Sequence, residues 1–138
     1  MPARDIYHFN VKNALIKDGW TVTHDPLTLR WGTTDVFVDL GAEQLLAAEK
    51  QERKIAVEVK SFIGASVTND LENALGQYIL YQDVLLRTEP DRYLYLAVHE
   101  EAFFKAFDDA LGKLLLENKR IQLIVFDPDT EAILRWIP

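Results

Sequence analysis

Hydrophobic and polar positions change their period several times along the chain, and each change marks an element. Between Arg4 and Trp20, the residues Ile6, Phe9, Val11, Ala14, Leu15 and Ile16 recur at mixed three- and four-residue spacings. That spacing predicts an amphipathic helix ended by Gly19. "WTVTHDPLTLRW" alternates as a half-buried strand does, with Asp25-Pro26 as a bend or edge. "DVFVDLGAEQLLAAEK" opens β-rich, and its second part, Glu43 to Lys50, fits strand or helix on propensity. Strand is preferred, because Gln51 to Arg53 reads as a short polar connector and so fits a hairpin. "KIAVEVKSF" then has a period of two, with Ile55, Val57 and Val59 on one face and Ala56, Glu58 and Lys60 on the other. Leu71, Leu75, Ile79 and Leu86 follow near helical spacing, between a cap at Ser66 or Thr68 and a stop before Pro90. "RYLYLAVHE" reads as a strand, "EAFFKAFDDALGKLLLENK" as one helix with Phe103, Phe104 and Phe107 in the core, and "RIQLIVFD" as a buried strand. "PDTEAILRWIP" turns into a terminal strand. The order αβββαβαβ with a final β implies an α/β fold, a mixed sheet flanked by helices.

Composition narrows the picture. A chain of 138 residues that is 49% hydrophobic is long enough for one domain, 1–138, with one ordinary core. It has no cysteine, which excludes a disulfide framework and a zinc–thiolate site, so any metal must rest on carboxylates, histidines or backbone oxygens. "MPARDIYHFN" lacks an apolar signal core, and no segment approaches the roughly 18 apolar residues of a membrane span. A cytoplasmic protein without membrane contact is expected. A net charge of −7 and a pI near 4.9 count against tight, autonomous nucleic-acid binding, which needs clustered Lys and Arg. A local basic groove, a divalent metal or a basic partner would offset that charge.

Glu58 and Lys60 share a strand face with Cα atoms roughly 7 Å apart by strand rise. In a half-exposed sheet such a pair is ordinarily a solvated stripe. The chemical alternative is a metal-dependent phosphodiesterase site, with Glu58 and a second acid on Mg²⁺ and Lys60 beside the attacking water. Asp39, in "VFVDLGAE" on the preceding strand, is the leading second carboxylate. Asp35 and Glu43 compete, and Glu43 is the more serious rival if the hairpin is tight. His8 sits where it could face the sheet, whereas His24 and His99 lack any ligand-spaced partner. No Gly-rich phosphate loop or G-x-S-x-G elbow is present.

Val38-Asp39 and Glu58-Val59-Lys60, within an αβββαβ order, resemble the restriction-endonuclease-like or PD-(D/E)xK nuclease superfamily, with valine where that group often has proline. "GQYILY" adds Gln77 and Tyr81 in the Q-x-x-x-Y spacing of its RecB-type branch. Residues four apart share one helix face, so amide and phenol reach the cleft of Lys60. The resemblance implies Mg²⁺ or Mn²⁺ on Asp39 (or Glu43) and Glu58, Lys60 beside the nucleophilic water, Gln77 and Tyr81 shaping the pocket, and DNA as substrate.

A closer resemblance runs through "ARDIYHFNVKNALIKDGW", "DLGAEQLLAAEK", "KIAVEVKSF", "LENALGQYILY" and "RYLYLAV". These stretches are similar to the XisH family, the fdxN element excision controlling factors of cyanobacteria, usually associated with a small companion, XisI. That resemblance implies a factor controlling excision of a DNA element, and the nuclease-superfamily resemblance adds a Mg²⁺-dependent endonuclease-type site to it. The alternative it leaves open is a non-catalytic, nuclease-like protein that recruits or licenses a recombinase, with the companion or as a homo-oligomer.

Overall fold

The structure, a computed structural model, describes residues 4–46 and 51–138. Helix α1 (His8–Lys17) precedes five strands: β1 (Thr21–His24), β2 (Leu27–Trp31), β3 (Thr34–Val38), β4 (Leu40–Leu46) and β5 (Gln51–Val59). The long helix α2 (Val67–Thr88) leads to β6 (Arg92–His99). Two short helices, α3 (Glu100–Ala106) and α4 (Ala110–Glu117), separate it from β7 (Leu123–Asp127) and β8 (Ala132–Ile137). Six strands form one sheet in the order β1-β4-β5-β6-β7-β8, and β2 and β3 form a separate hairpin. β5, β6 and β7 run parallel, while β1, β4 and β8 pair antiparallel. The expected mixed sheet with flanking helices is therefore what the chain builds.

Period two in β5 splits its side chains between two cores. Ile55, Val57 and Val59 join Val11, Leu15 and Trp20 beneath α1, while Ala56 packs with Leu71, Tyr78 and Leu85 beneath α2. Both faces of this strand are covered, so Glu58 is not on a solvated stripe; it is only 6% exposed. On α2 the buried stripe is Leu71, Ala74, Tyr78, Tyr81, Val84 and Leu85. The expected stripe of Leu71, Leu75, Ile79 and Leu86 is half wrong, since Ile79 and Leu86 face solvent. The tyrosines displace it because each phenyl ring fills the core while its hydroxyl keeps a polar partner or a cavity. Tyr78 does the former, its hydroxyl donating to Leu94 O at 2.9 Å and accepting from Gln122 N at 3.1 Å.

Five further expectations change. "WTVTHDPLTLRW" is two strands in different sheets, joined at the cis Asp25–Pro26 peptide. Leu27 and Leu29 leave the main sheet to pack over α2. "DVFVDLGAE" likewise changes sheets, at Asp39 between β3 and β4. Glu43 to Leu46 is strand, but Gln51 to Arg53 belongs to β5, paired up to Leu46↔Gln51. Residues 47–50, the end of the run read as strand, lie outside the described residues. The single helix after β6 is two: Asp109 caps α4 by accepting from Gly112 N at 3.3 Å. Phe103 and Phe107 are core residues, whereas Phe104 is exposed.

Of the two candidate caps for α2, Ser66 is the one used, its side chain accepting from Asn69 N at 3.1 Å. Ser66→Ala is expected to lower unfolding free energy by about 1 kcal/mol, the usual worth of an N-cap, as read by urea denaturation. Thr68→Ala, one turn position further in, is expected to leave it within about 0.5 kcal/mol.

Candidate functional site

The change of sheet at Asp39 creates the site. The β4–β5 ladder begins at Leu40↔Val57, so the backbone beyond it has no strand partner on that side. Asp39 Oδ2 accepts from Val59 N at 2.7 Å, and Asp39 N donates to Glu58 Oε1 at 3.2 Å. Each acid is thus fixed by the other residue's strand, which aims two carboxylates into one space. Lys60 N donates to Ala97 O at 3.1 Å, continuing the line of β5, and its Nζ lies 3.8 Å from Glu58 Oε2. Two residues later the chain bends away through Phe62, buried and held at φ 53°, a left-handed backbone rare for an aromatic residue.

Asp39, Glu58, Lys60, Gln77 and Tyr81 all line one cavity of about 170 Å³, together with Arg4, Asp5, Phe37 and Val59. A space of that size would admit an ion with its waters and one phosphate group, not a folded ligand. Gln77 and Tyr81 reach it from one face of α2. The Gln77 amide oxygen is buried and has no hydrogen-bond partner among the described residues. Burial, and next the neighbouring carboxylate of Asp39, push the Glu58 carboxyl up to about 9. Burial, followed by Glu58 and Asp39, pushes the Tyr81 phenol up to about 12, so it stays a donor near neutrality.

These electrostatics fit a hard divalent cation. The buried Glu58 carboxyl, pushed up beside the half-buried Asp39, and Asp39 itself are oxygen donors of the kind such an ion takes, and Mg²⁺ commonly uses one or two carboxylates with water and phosphate. Among the described residues no group of three His, Cys, Asp or Glu side chains converges on one point, so the remaining ligands would be water, substrate or backbone oxygen.

Glu43 is not at this site. It pairs with Lys54 across the ladder, and its Oε1 lies 3.6 Å from Arg92 Nη2. The hairpin carries it away from Glu58, and buried Arg92 holds it there. Asp35 pairs instead with Arg30 at 3.8 Å on the β2–β3 hairpin. His8 is buried, with Nε2 2.7 Å from Asp25 Oδ1, and His99 packs at a 45° tilt against Tyr7 with ring centroids 4.7 Å apart. His24 is exposed, and no histidine lines the cavity. Arg4 and Asp5 are the residues that the spacing of the chain did not announce. Asp5 Oδ1 accepts from Tyr7 N at 2.9 Å, a local bond, and Oδ2 from Ser61 N at 3.0 Å, a bond across 56 residues that no periodicity encodes.

Fold and site together define a mixed α/β protein with a two-carboxylate, one-lysine cavity at the carboxyl end of a central strand. Residues 1–134 match the family model "XisH protein", and the chain belongs to the XisH family. It is similar to the crystal structure of an XisH family protein from Nostoc punctiforme PCC 73102, at 38% identity and a TM-score of 0.86, over 97% of this chain and 100% of that one. It is also similar to that of an fdxN element excision controlling factor protein from Anabaena variabilis, at 40% identity and a TM-score of 0.87, over 98% and 100%. No curated protein matches the chain. Among the described residues no helix is long and apolar enough to cross a membrane.

Proposed function

We propose that this chain controls excision of a DNA element and carries a divalent-metal-dependent phosphodiesterase site of PD-(D/E)xK type. The observation that carries this reading is the interlock of Asp39 and Glu58, two carboxylates held together despite the rise in the Glu58 pKa to about 9. A fold keeps such a pair at a cost unless a cation compensates it. Asp39 and Glu58 would hold Mg²⁺ or Mn²⁺, which when bound supplies a more acidic water and a polarised phosphoryl oxygen.

The remaining steps belong to the chain's own groups. Glu58 gives up its proton to become a ligand, so metal affinity rises with pH. Lys60 stands beside Glu58 Oε2 and orients the attacking water while offsetting charge that develops on phosphate. The Gln77 oxygen, unpartnered among the described residues, is an acceptor for that water or for Lys60, and the Tyr81 side chain offers a hydroxyl donor to the same space.

Plasmid nicking with Mg²⁺ or Mn²⁺ tests this. Intact protein, alone or with its XisI-type companion, is expected to cut, and Lys60→Ala is expected to slow cutting by about 10²-fold or more, the range for loss of one electrostatic group. Absence of metal-dependent cutting under both conditions would leave the second reading, a nuclease-like regulator that licenses a recombinase. One observation favours that reading: at a net charge of −7, DNA would need a basic surface from the companion or from a second copy.

A further inference from the structure

Arg4 lines the cavity beside Lys60 and Gln77, on the segment that precedes α1. Among the described residues its ion pair is with Asp25, Nη2 to Oδ1 at 3.4 Å. Asp25 is already served by closer groups: Lys12 Nζ lies 2.8 Å from Oδ2, and His8 Nε2 lies 2.7 Å from Oδ1. The Lys12 ammonium by itself balances the single negative charge of Asp25. Arg4 is therefore a surplus cation at the longest distance, and its side chain is 48% exposed against 32% for Lys12. Its guanidinium also rests over the Phe9 ring, 5.2 Å from the centroid, which supports the group without neutralising it.

Asp5 explains how Arg4 comes to line the site, although the Arg4 guanidinium rests on Asp25 and Phe9 at the cavity's edge. Its carboxylate takes the N–H of Ser61, the residue after Lys60, and the N–H of Tyr7 at the start of α1. One side chain thereby ties the Arg4 segment to the Lys60 turn, so that two basic residues from distant parts of the chain line one cavity, within reach of which the exposed Arg4 side chain can swing. Among the described residues, the other charged ones lining it, Asp5, Asp39 and Glu58, are acids. An incoming anion must therefore be met by Lys60, by metal and by Arg4. A guanidinium presents a planar fork of donors that matches two oxygens of a phosphodiester, which a point-charge ammonium does not.

We infer that Arg4 is a phosphate-contacting residue of the site, binding a backbone phosphate of a nucleic-acid strand, and that Asp5 is its positioning residue. The ligand class rests on the phosphodiesterase reading above, whereas the experiment does not depend on turnover. A fluorescently labelled oligonucleotide, single-stranded and duplex, is titrated with the full chain in Ca²⁺ over a salt series, and log Kd is plotted against log salt. Arg4→Gln is expected to weaken binding about tenfold and to lower the slope by roughly 0.7 for a single strand or 0.9 for a duplex, one released counterion. Arg4→Lys is expected to restore the slope. Arg120→Gln, which removes an exposed cation outside the cavity, is expected to leave both affinity and slope near the intact value. Asp5→Ala discriminates further: deleting an acid beside a polyanion strengthens binding by charge alone, so a loss of affinity together with the lower slope marks positioning.

An unchanged slope in Arg4→Gln overturns the inference even if plasmid is cut. No saturable binding of either oligonucleotide overturns it as well. A lowered slope without any cutting would keep the phosphate contact and remove the phosphodiesterase reading.

Discussion

Glu58→Gln is expected to reduce metal-dependent cutting by about 10³-fold or more, the scale for loss of a group that organises the transition state, while making the metal-free protein more stable at pH 8. The two effects have one origin. Glu58 is buried beside Asp39, and its carboxyl is pushed up from an ordinary 4.5 to about 9. Below about 4.5 the group is protonated folded or unfolded, and it makes no difference. Between 4.5 and 9 the unfolded chain releases this proton while the folded chain retains it. The folded state then binds more protons, so its stability falls as pH rises through that window. A neutral amide keeps the Oε1 acceptor for Asp39 N and has no proton to lose. The melting temperature of Glu58→Gln should therefore vary less between pH 5.5 and pH 8.5, with a gain of about 1–3 kcal/mol at the upper end, the range for an uncompensated buried polar group. Adding Mg²⁺ should raise the melting temperature of the intact protein increasingly with pH and leave the variant unmoved. Equal Mg²⁺ responses in both proteins would remove Glu58 from the metal site.

Gly112→Ala is expected to unfold the chain more readily than any cavity mutation. Gly112 is buried at the start of α4, and a Cβ there would collide with the carbonyl oxygen of Ala106 and the Cα of Phe107. Both are backbone atoms of the α3–α4 junction, so no side-chain rotation relieves the contact. The junction also holds the Asp109 cap and the buried ring of Phe107, which packs on Phe62 just past the Lys60 turn. Overpacking against fixed backbone costs about 3 kcal/mol or more, or a fall on the order of 10 °C in melting temperature for a domain of this size. Gly76→Ala on α2 is the control. Its Cβ would meet open space, and it is expected to stabilise by about 0.5–1 kcal/mol through helix propensity. Equal urea midpoints for the two variants would mean that the α3–α4 junction yields without penalty.

Periodicity is a local property, and the features it governs were readable. The alternation of Ile55, Val57 and Val59 with Ala56 and Glu58 survives in the structure because a strand offers only two faces, whatever packs on them. The one-face spacing of Gln77 and Tyr81 survives for the same reason, since helical geometry carries both toward one cavity. What failed were judgements of which helix face is covered, on α2 and at Phe104. Ile79 and Leu86 look like core and are exposed, because the hairpin and sheet accept Tyr78 and Tyr81 instead.

The site divides along the same line. Composition and spacing proposed two acids and a lysine near one another and left Asp39 and Glu43 as rivals. The choice depended on where the chain changes sheets, and Asp39 stands at that point with its side chain capping Val59 N. Glu43, a few residues on, is committed to Arg92 from another strand. Likewise, nothing in "ARDIY" marks Arg4 and Asp5 as parts of a cavity built from residues 58–60. The amino-acid pattern thus dictated which elements form and which side chains share a face, because those follow from backbone geometry within a few residues. Which carboxylates meet, which cation is left surplus and how far a buried acid shifts were decided by tertiary packing, because charge interactions depend on distance and burial rather than on position along the chain.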